Sequence, residues 1–510
     1  MRTFSQYKSL LLIVGALLVV VFSGTMSHIP LYWGDTPAYI NSALKSLSAG
    51  SIELHQGVNL GYVYFLLSFL RMNWELESVV LVQHLFWCFT IAVFMFTSMR
   101  IFKTNSLLLL LPVGVLASYP GIQLYQNILI TESIYISLNC LVVCFLALAI
   151  TEKSRFTKTL FLLFALAAAT AASVTKAQGL APFSVVFFVA MLFMFRFSIK
   201  SRLVISVALT ISIAFNFANY QLRTHSPDTT SKLFASKTMF CLHQDIILQS
   251  QAIKTLAQNA FGKNAKNILE RMNRNFHSDE GEYKTLGFYA DPCQFDKVLD
   301  QMAIDSHPQG VTGLVRWYSD AFWAGIREQP FSYIRKIIKQ FVYGLSMSFP
   351  PHQSGSRLPS LTELAQELAK TFDAHNAPQT IQTEIESISS PLLAHSSVSV
   401  YVYRLLSLLM GLTLILSIVL FSLRHWRKQW EAVPALVVSL LWFSQISGIA
   451  ATHTLDIWRY IVPVVPAGIV VMMLVSSACY ALYRELKHEN KISLPRFSFP
   501  QWLEKKKGSS

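Results

Sequence analysis

A handful of ionisable residues stand out in a chain that has few of them. Asp35 lies in "YWGDTPAYI", Glu132 in "QNILITESIYISL", Lys176 in "SVTKAQGL", and His453, Asp456 and Arg459 in "THTLDIWRYIVPVVP". Each sits at or beside the edge of a long apolar stretch, where a charged group is costly and usually marks a site or a pathway. Two carboxylates near two or three cations suit transfer of a group from a phosphate. Arg and Lys can hold a phosphate and stabilise the charge that grows on it as the bond breaks. A carboxylate can take the proton of an attacking hydroxyl or amine. A departing phosphate needs no proton, so this chemistry requires no separate acid.

Whether these groups can meet depends on topology. Of the 510 residues, 53% are hydrophobic and only 14% charged, and the mean hydropathy is +0.43. Soluble chains carry nearer a quarter charged residues, so the composition is that of an integral membrane protein. The net charge of +14 would suggest nucleic acid in a soluble chain. Here the excess lies in short segments between apolar stretches, which reads as a topology signal and not as a nucleic-acid surface. Spans of about 20 apolar residues are expected near 9–28, 79–99, 104–122, 127–150, 158–175, 177–195, 203–222, 398–422, 432–451 and 459–482. With the N-terminus in the cytoplasm, every inside segment is basic: Arg2 and Lys8; Arg100 and Lys103; Lys153, Arg155 and Lys158; Arg196, Lys200 and Arg202; Arg424, Arg427 and Lys428; and the tail from Arg484 to Lys507. The first span reads as an uncleaved anchor, since its apolar stretch is long and "SGTMSHIP" offers no A-x-A-like cleavage site. Both termini are then cytoplasmic, and every residue of the opening paragraph falls on the outer side.

The chain divides into an N-terminal transmembrane module, 1–222, an extracytoplasmic helical region, 223–397, C-terminal transmembrane helices, 398–483, and a basic cytoplasmic tail, 484–510. In the first outer loop Thr36 or Asp35 can cap a helix, Pro37 suits its first turn and Gly50 its end. Tyr39, Ile40, Ala43, Leu44 and Leu47 form its apolar face, and "GYVYFLLSFL" at 61–70 is too short to span and suits the membrane interface. In the long outer region Cys241 and Cys293 can pair, since that compartment is oxidising. Cys88, Cys140, Cys144 and Cys479 lie in apolar stretches and read as small hydrophobes. With no CxxC and no Cys/His cluster, no metal site is expected. The segment "PFSYIRKIIKQFVYGL" has an apolar face of Phe331, Ile334, Ile337, Ile338, Phe341 and Leu345. Arg335, Lys336 and Lys339 lie on or near the opposite face, so the segment is expected to lie at the lipid interface and not to span.

In order and spacing, "GDTPAYINSAL", "GIQLYQNILITESIYISL", "SVTKAQGLAPF", "GIREQPFSYIRKIIKQF" and "RYIVPVVP" resemble the GT-C superfamily of polytopic glycosyltransferases, which includes protein O-mannosyltransferases and the aminoarabinose transferase of lipid A. The resemblance implies an all-α, GT-C-like membrane fold with about ten transmembrane helices. It implies a polyprenyl-phosphate-linked monosaccharide donor and an extracytoplasmic lipid, polysaccharide or protein acceptor. Membrane lipids are the other expected partners; nucleic acid is not, and no cofactor is implied. By position Asp35 matches the catalytic acid of the first loop, as general base, and Glu132 a second acid that orients the acceptor or Asp35. Lys176 and Arg459 match holders of the lipid phosphate, and Tyr460, His453 and Asp456 line the same mouth. The chain departs from many relatives in having Gly34 before a single Asp35, where two adjacent acids are common, and Ala177 after Lys176, where Arg-Pro is common. An O-antigen polymerase or ligase would lean on several outer arginines instead of two acids, and a transporter or flippase on charges near the bilayer midplane and on internal repeats.

Overall fold

The segment Thr131–Thr151 is apolar around its whole circumference, and a helix of that kind must be enclosed by other helices or bathed in lipid. In the computed structural model it is the enclosed centre of a helical bundle. The structure describes residues 2–345, apart from 23–35, 55–57, 103–105, 195–197, 225–228, 279–292 and a few single positions; it then describes scattered positions between 408 and 419, and 432–488 apart from 453–459 and 461.

Every regular element among the described residues is helical. The first ten are α1 (Arg2–Phe22), α2 (Thr36–Ala49), α3 (Leu60–Arg71), α4 (Leu76–Phe102), α5 (Leu110–Ala117), α6 (Pro120–Asn127), α7 (Thr131–Thr151), α8 (Arg155–Thr175), α9 (Leu180–Met194) and α10 (Ile199–Thr224). A polar series follows: α11 (Thr229–Leu242), α12 (Gln244–Ile247), α13 (Gln251–Phe261), α14 (Ala265–Ser278), α15 (Lys297–Ser306), α16 (Gly310–Glu328) and α17 (Pro330–Leu345). The last two are α18 (Ala432–Thr452) and α19 (Val465–His488).

Among the described residues six helical stretches are long and apolar enough to cross a membrane: Leu76–Phe102, Thr131–Thr151, Arg155–Thr175, Ala177–Met194, Ile199–Leu222 and Val462–Tyr480. Shorter apolar helices occupy Tyr7–Phe22, Leu60–Arg71, Leu107–Ala117 and Ala435–Ala450. Large apolar side chains such as Leu85, Phe89, Phe188, Leu203 and Phe217 stand more than half exposed on the outer faces. That surface suits hydrocarbon and not water, so the chain is a multi-pass, all-α membrane protein. α7 packs against α4, α6, α8, α18 and α19. Alanines 165, 169 and 172 line the buried face of α8, and their small size lets the two backbones approach closely.

The expected span at 104–122 is replaced by two short helices. A 3-10 turn at Leu107–Leu109 leads into α5, and α6 starts afresh at Pro120. Proline disfavours helical geometry in the residue before it, and Tyr119 is accordingly extended, with φ −69° and ψ 114°. The expected span at 127–150 begins four residues late, at Thr131, because Ile128 and Ile130 are extended. The expected span at 398–422 falls almost wholly outside the described residues. α2 starts at Thr36 and ends before Gly50, whose φ of +68° is one that glycine adopts without strain. Its buried face is Tyr39, Ile40 and Ala43 with Ser42 and Ser46, whereas Leu44 and Leu47 are each 41% exposed. Ser46 decides this face: its hydroxyl donates to the Ser42 and Glu53 carbonyls and accepts from the Glu53 N–H, tying the helix to the chain that follows it.

Helices α11–α16 enclose a separate core that includes Phe240, Ile247, Phe261, Ile268, Met272, Leu299, Leu314, Trp317 and Phe322. The Cys241–Cys293 disulfide is formed and lies in this core. Closing its 52-residue separation stabilises the unit by about 4 kcal/mol in the chain-entropy model. Asp296 caps α15 through the Leu299 N–H and accepts two bonds from Arg271, at 2.6 and 2.8 Å, and one from Asn275. Burial raises the Asp296 carboxyl, but these bonds outweigh it and hold the group well below the usual carboxylate range.

Lys336 departs from the expected lipid-facing basic face. It is 4% exposed, donates to Asp245 at 2.6 Å and to the Leu242 carbonyl at 2.5 Å, and so anchors α17 on α12. A carboxylate brought up by tertiary packing, invisible to helical periodicity, turned that cation inward. Arg335 and Lys339 stay exposed. The expected apolar face is split as well: Phe331, Ile334 and Ile338 are exposed, while Phe341 stacks edge-on against Phe443 of α18.

His243 is buried beside Lys336, with the rings of Phe322 and Tyr333 against it and no hydrogen-bond partner for either ring nitrogen among the described residues. Burial, aided by the Lys336 charge, pushes its pKa down to about 3. An unfolded histidine titrates near ~6.5. Between those values the unfolded chain binds a proton that the folded chain refuses, so stability is complete above about pH 6.5 and declines as pH falls toward 3. The melting temperature in detergent is expected to drop between pH 7 and pH 4.5, and His243→Leu is expected to flatten that slope. Equal slopes for the two proteins would show that His243 does not govern acid sensitivity.

Candidate functional site

α7 and α8 form an antiparallel hairpin through the short link Glu152–Ser154, so the start of α7 and the end of α8 share one end of the bundle. Glu132 occupies the first turn of α7, where the positive end of the helix dipole favours a carboxylate. Lys176 directly follows the last turn of α8. Its backbone is extended, with φ −146° and ψ 138°, and the 3-10 turn Ala177–Gly179 comes next. Gly179 permits this reversal, since a Cβ there would fall 2.3 Å from the Ala172 carbonyl. Gly61 of α3 does the same from the other side: a Cβ would meet the Thr175 backbone at 2.9 Å. Two glycines thus let chain pack tightly around the Lys176 corner.

The two charges meet inside the protein. Lys176 Nζ donates to Glu132 Oε1 at 2.6 Å, and Thr131 Oγ1 donates to Oε2 at 2.9 Å. Glu132 is fully buried and Lys176 is 7% exposed. Lys176 Nζ also lies 4.4 Å from the centre of the Tyr460 ring and 5.9 Å from that of Tyr135. Both rings are within cation–π range. The Tyr135 hydroxyl and the Gln178 carboxamide are buried close by in sequence to Glu132 and Lys176 and have no hydrogen-bond partner among the described residues. Buried polar atoms are rarely left so, and both suit a polar occupant of this corner.

Of the residues expected in the outer site, the structure therefore brings together Glu132, Lys176 and Tyr460. Glu132 makes its ion pair with Lys176, a contact that their positions 44 residues apart do not announce. Asp35, His453, Asp456 and Arg459 lie outside the described residues. Arg335, Lys336 and Lys339 belong to the separate corner between α12 and α17. No cluster of three or more His, Cys, Asp or Glu side chains that could hold a metal occurs among the described residues.

Sequence reasoning missed the amides that position the site. Asn139 of α7 and Gln445 of α18 exchange reciprocal bonds of 3.0 and 2.8 Å, and Asn139 also donates to the Pro463 carbonyl at 2.5 Å. This network fixes the turn Val462–Val464, just after Tyr460. Gln83 of α4 plays the matching role before Glu132: its amide donates to the Gln126 and Ile128 carbonyls and its oxygen accepts from the Tyr62 hydroxyl. His84 pairs with Asn127 at 3.1 Å. The available signal was the amide type itself, since Asn and Gln in an apolar span need a partner.

No protein-family model matches the chain, and no curated protein matches it. Two matching solved structures are of ArnT from Cupriavidus metallidurans. The apo form is 12% identical over 92% of this chain and 78% of that one, with a TM-score of 0.32. The form bound to undecaprenyl phosphate is 13% identical over 87% and 77%, with a TM-score of 0.30. Superpositions this loose equate no particular residues of the two chains.

The buried pair makes a direct energetic prediction. Lys176→Met leaves a carboxylate enclosed without its cation, which costs about 3–5 kcal/mol. The double variant Glu132→Gln/Lys176→Met removes both charges and is expected to recover most of that loss. Melting in detergent across the four proteins measures the coupling; strictly additive losses would mean that the two side chains are independent.

Proposed function

We propose that the protein is a GT-C-type glycosyltransferase that moves a monosaccharide from a polyprenyl-phosphate donor to a lipid, polysaccharide or protein acceptor outside the cytoplasm. The observation that carries this reading is Lys176, a buried cation at one end of the bundle, oriented by Glu132 and lying against Tyr460. A lysine oriented in this way supports a reading in which its ammonium holds a phosphate that enters sideways from the lipid.

In this reading the acceptor oxygen or nitrogen attacks the anomeric carbon as the bond from that carbon to the phosphate oxygen breaks. Asp35 takes the acceptor proton. Lys176 and Arg459 stabilise the charge that collects on the departing polyprenyl phosphate. Glu132 serves as the partner that keeps Lys176 in place, and Tyr460 shapes the mouth. His453 and Asp456, close to Arg459 in sequence, are assigned to the same substrate-binding mouth. The roles of Asp35, Arg459, His453 and Asp456 are supported by sequence alone, as are the outward-facing site and the cytoplasmic termini.

Two substitutions test this. In proteoliposomes supplied with a labelled polyprenyl-phosphate sugar and cell-envelope acceptor, Asp35→Asn is expected to lower turnover by at least about 10²-fold, the low end for loss of general-base catalysis, with the melting temperature unchanged. Wild-type turnover would remove Asp35 from the chemistry. Arg459→Ala is expected to raise the KM for the lipid donor well above any change for the acceptor. An unchanged donor KM would remove Arg459 from the phosphate site.

A further inference from the structure

α12 and α17 enclose a cleft of about 260 Å³ that has no part in the site above. Its lining includes Asp245 and Gln249 on one side and Ser332, Arg335, Lys336 and Lys339 on the other. Lys336 forms a fixed floor, since Asp245 and the Leu242 carbonyl hold its ammonium in place. Asp245 thus spends its charge on Lys336. Arg335 and Lys339 are exposed and make no ion pair among the described residues. The cleft is therefore net positive, with one buried cation and two accessible ones.

Beside it runs an apolar stripe. Phe331, Ile334, Ile338 and Val342 are 85%, 51%, 56% and 58% exposed. At 100° per residue, Ser332, Arg335 and Lys339 lie about a quarter turn around the helix from that stripe, on the side of the cleft. A helix with this layout rests in a bilayer surface with its stripe among the acyl chains, and its flanking cations then stand at the level of the phosphates. α17 also packs on α18 through Phe341 and Phe443, which ties this surface to the transmembrane bundle.

We propose that the α12–α17 cleft binds the phosphate of an anionic membrane lipid, with Arg335 and Lys339 clasping the phosphate, Lys336 as the fixed positive floor, and the acyl chains along Phe331, Ile334, Ile338 and Val342. Charge complementarity and the neighbouring stripe select a lipid over a soluble anion. The site is independent of the chemistry at Glu132 and Lys176.

The test uses the full-length protein in detergent, titrated with phosphatidylglycerol or phosphatidylcholine and read by native mass spectrometry. Arg335→Gln/Lys339→Gln is expected to weaken the tightest phosphatidylglycerol by about 30-fold, equivalent to two charges at about 1 kcal/mol each, and to leave phosphatidylcholine unchanged. Both residues are exposed, and an unchanged melting temperature confirms that the variant is folded. Ile334→Ser/Ile338→Ser is expected to weaken phosphatidylglycerol as well. Equal phosphatidylglycerol affinity in the wild type and the charge variant would overturn the site. Inorganic phosphate displacing phosphatidylglycerol at millimolar concentration, with no effect of the isoleucine substitutions, would assign the cleft to a soluble anion and overturn the lipid.

Discussion

The end of the bundle is built around one electrostatic constraint: a glutamate and a lysine enclosed together among apolar helices. Neither charge could be there alone. Stripping an ion of water costs several kcal/mol, and attraction at short range offsets that only when the partner is close and the remaining oxygen is also bonded. Both conditions hold, with Lys176 at 2.6 Å from one Glu132 oxygen and Thr131 at 2.9 Å from the other. The surrounding backbone follows from this requirement. α8 has to stop at Thr175 so that Lys176 can turn inward, and Gly179 and Gly61 are the residues that leave room for the turn.

The same pair bears on which acid does what. A carboxylate with one oxygen in contact with an ammonium and the other bonded by a hydroxyl is already committed to those partners. If this end of the bundle is a transferase site, the division of labour follows. Glu132 orients Lys176, and the general base of the proposed reaction is then a different acid. Tyr460 and Tyr135 add ring faces to the lysine, which stabilises its charge without adding a counter-ion that would compete for a phosphate.

The helices were legible in the sequence because apolar length alone defines a span, and so were the ends of α2, where Thr36 and Gly50 act locally. The Cys241–Cys293 bridge followed from compartment and elimination. The breaks around Tyr119 and Ile128 were harder, because apolar composition runs straight through them and only Pro120 hints at the first. The inward turn of Lys336 was hidden for a related reason. Periodicity places it beside Arg335 and Lys339, yet a residue 91 positions away decides which of the three turns inward. Long-range pairings such as Asn139 with Gln445, 306 residues apart, leave no local pattern. Glu132, Lys176 and Tyr460 were accordingly visible as residue types, while the contacts among them were not.

Non-helical backbone within the apolar bundle is the feature that links fold to site. The chain before Glu132 is extended at Ile128 and Ile130, and the chain after Tyr460 makes a 3-10 turn at Val462–Val464. Each break frees carbonyls that hydrocarbon cannot satisfy, and such backbone persists in a membrane only where protein supplies the missing bonds. Gln83 does so for the first break and Asn139, locked by Gln445, for the second. Two buried amides on different helices thus permit two irregular segments, one just before Glu132 and one just after Tyr460, and both of those residues reach Lys176. A continuous helix through either stretch would satisfy its own backbone and need neither amide. The irregularity is therefore the means by which an apolar bundle presents charge at one end.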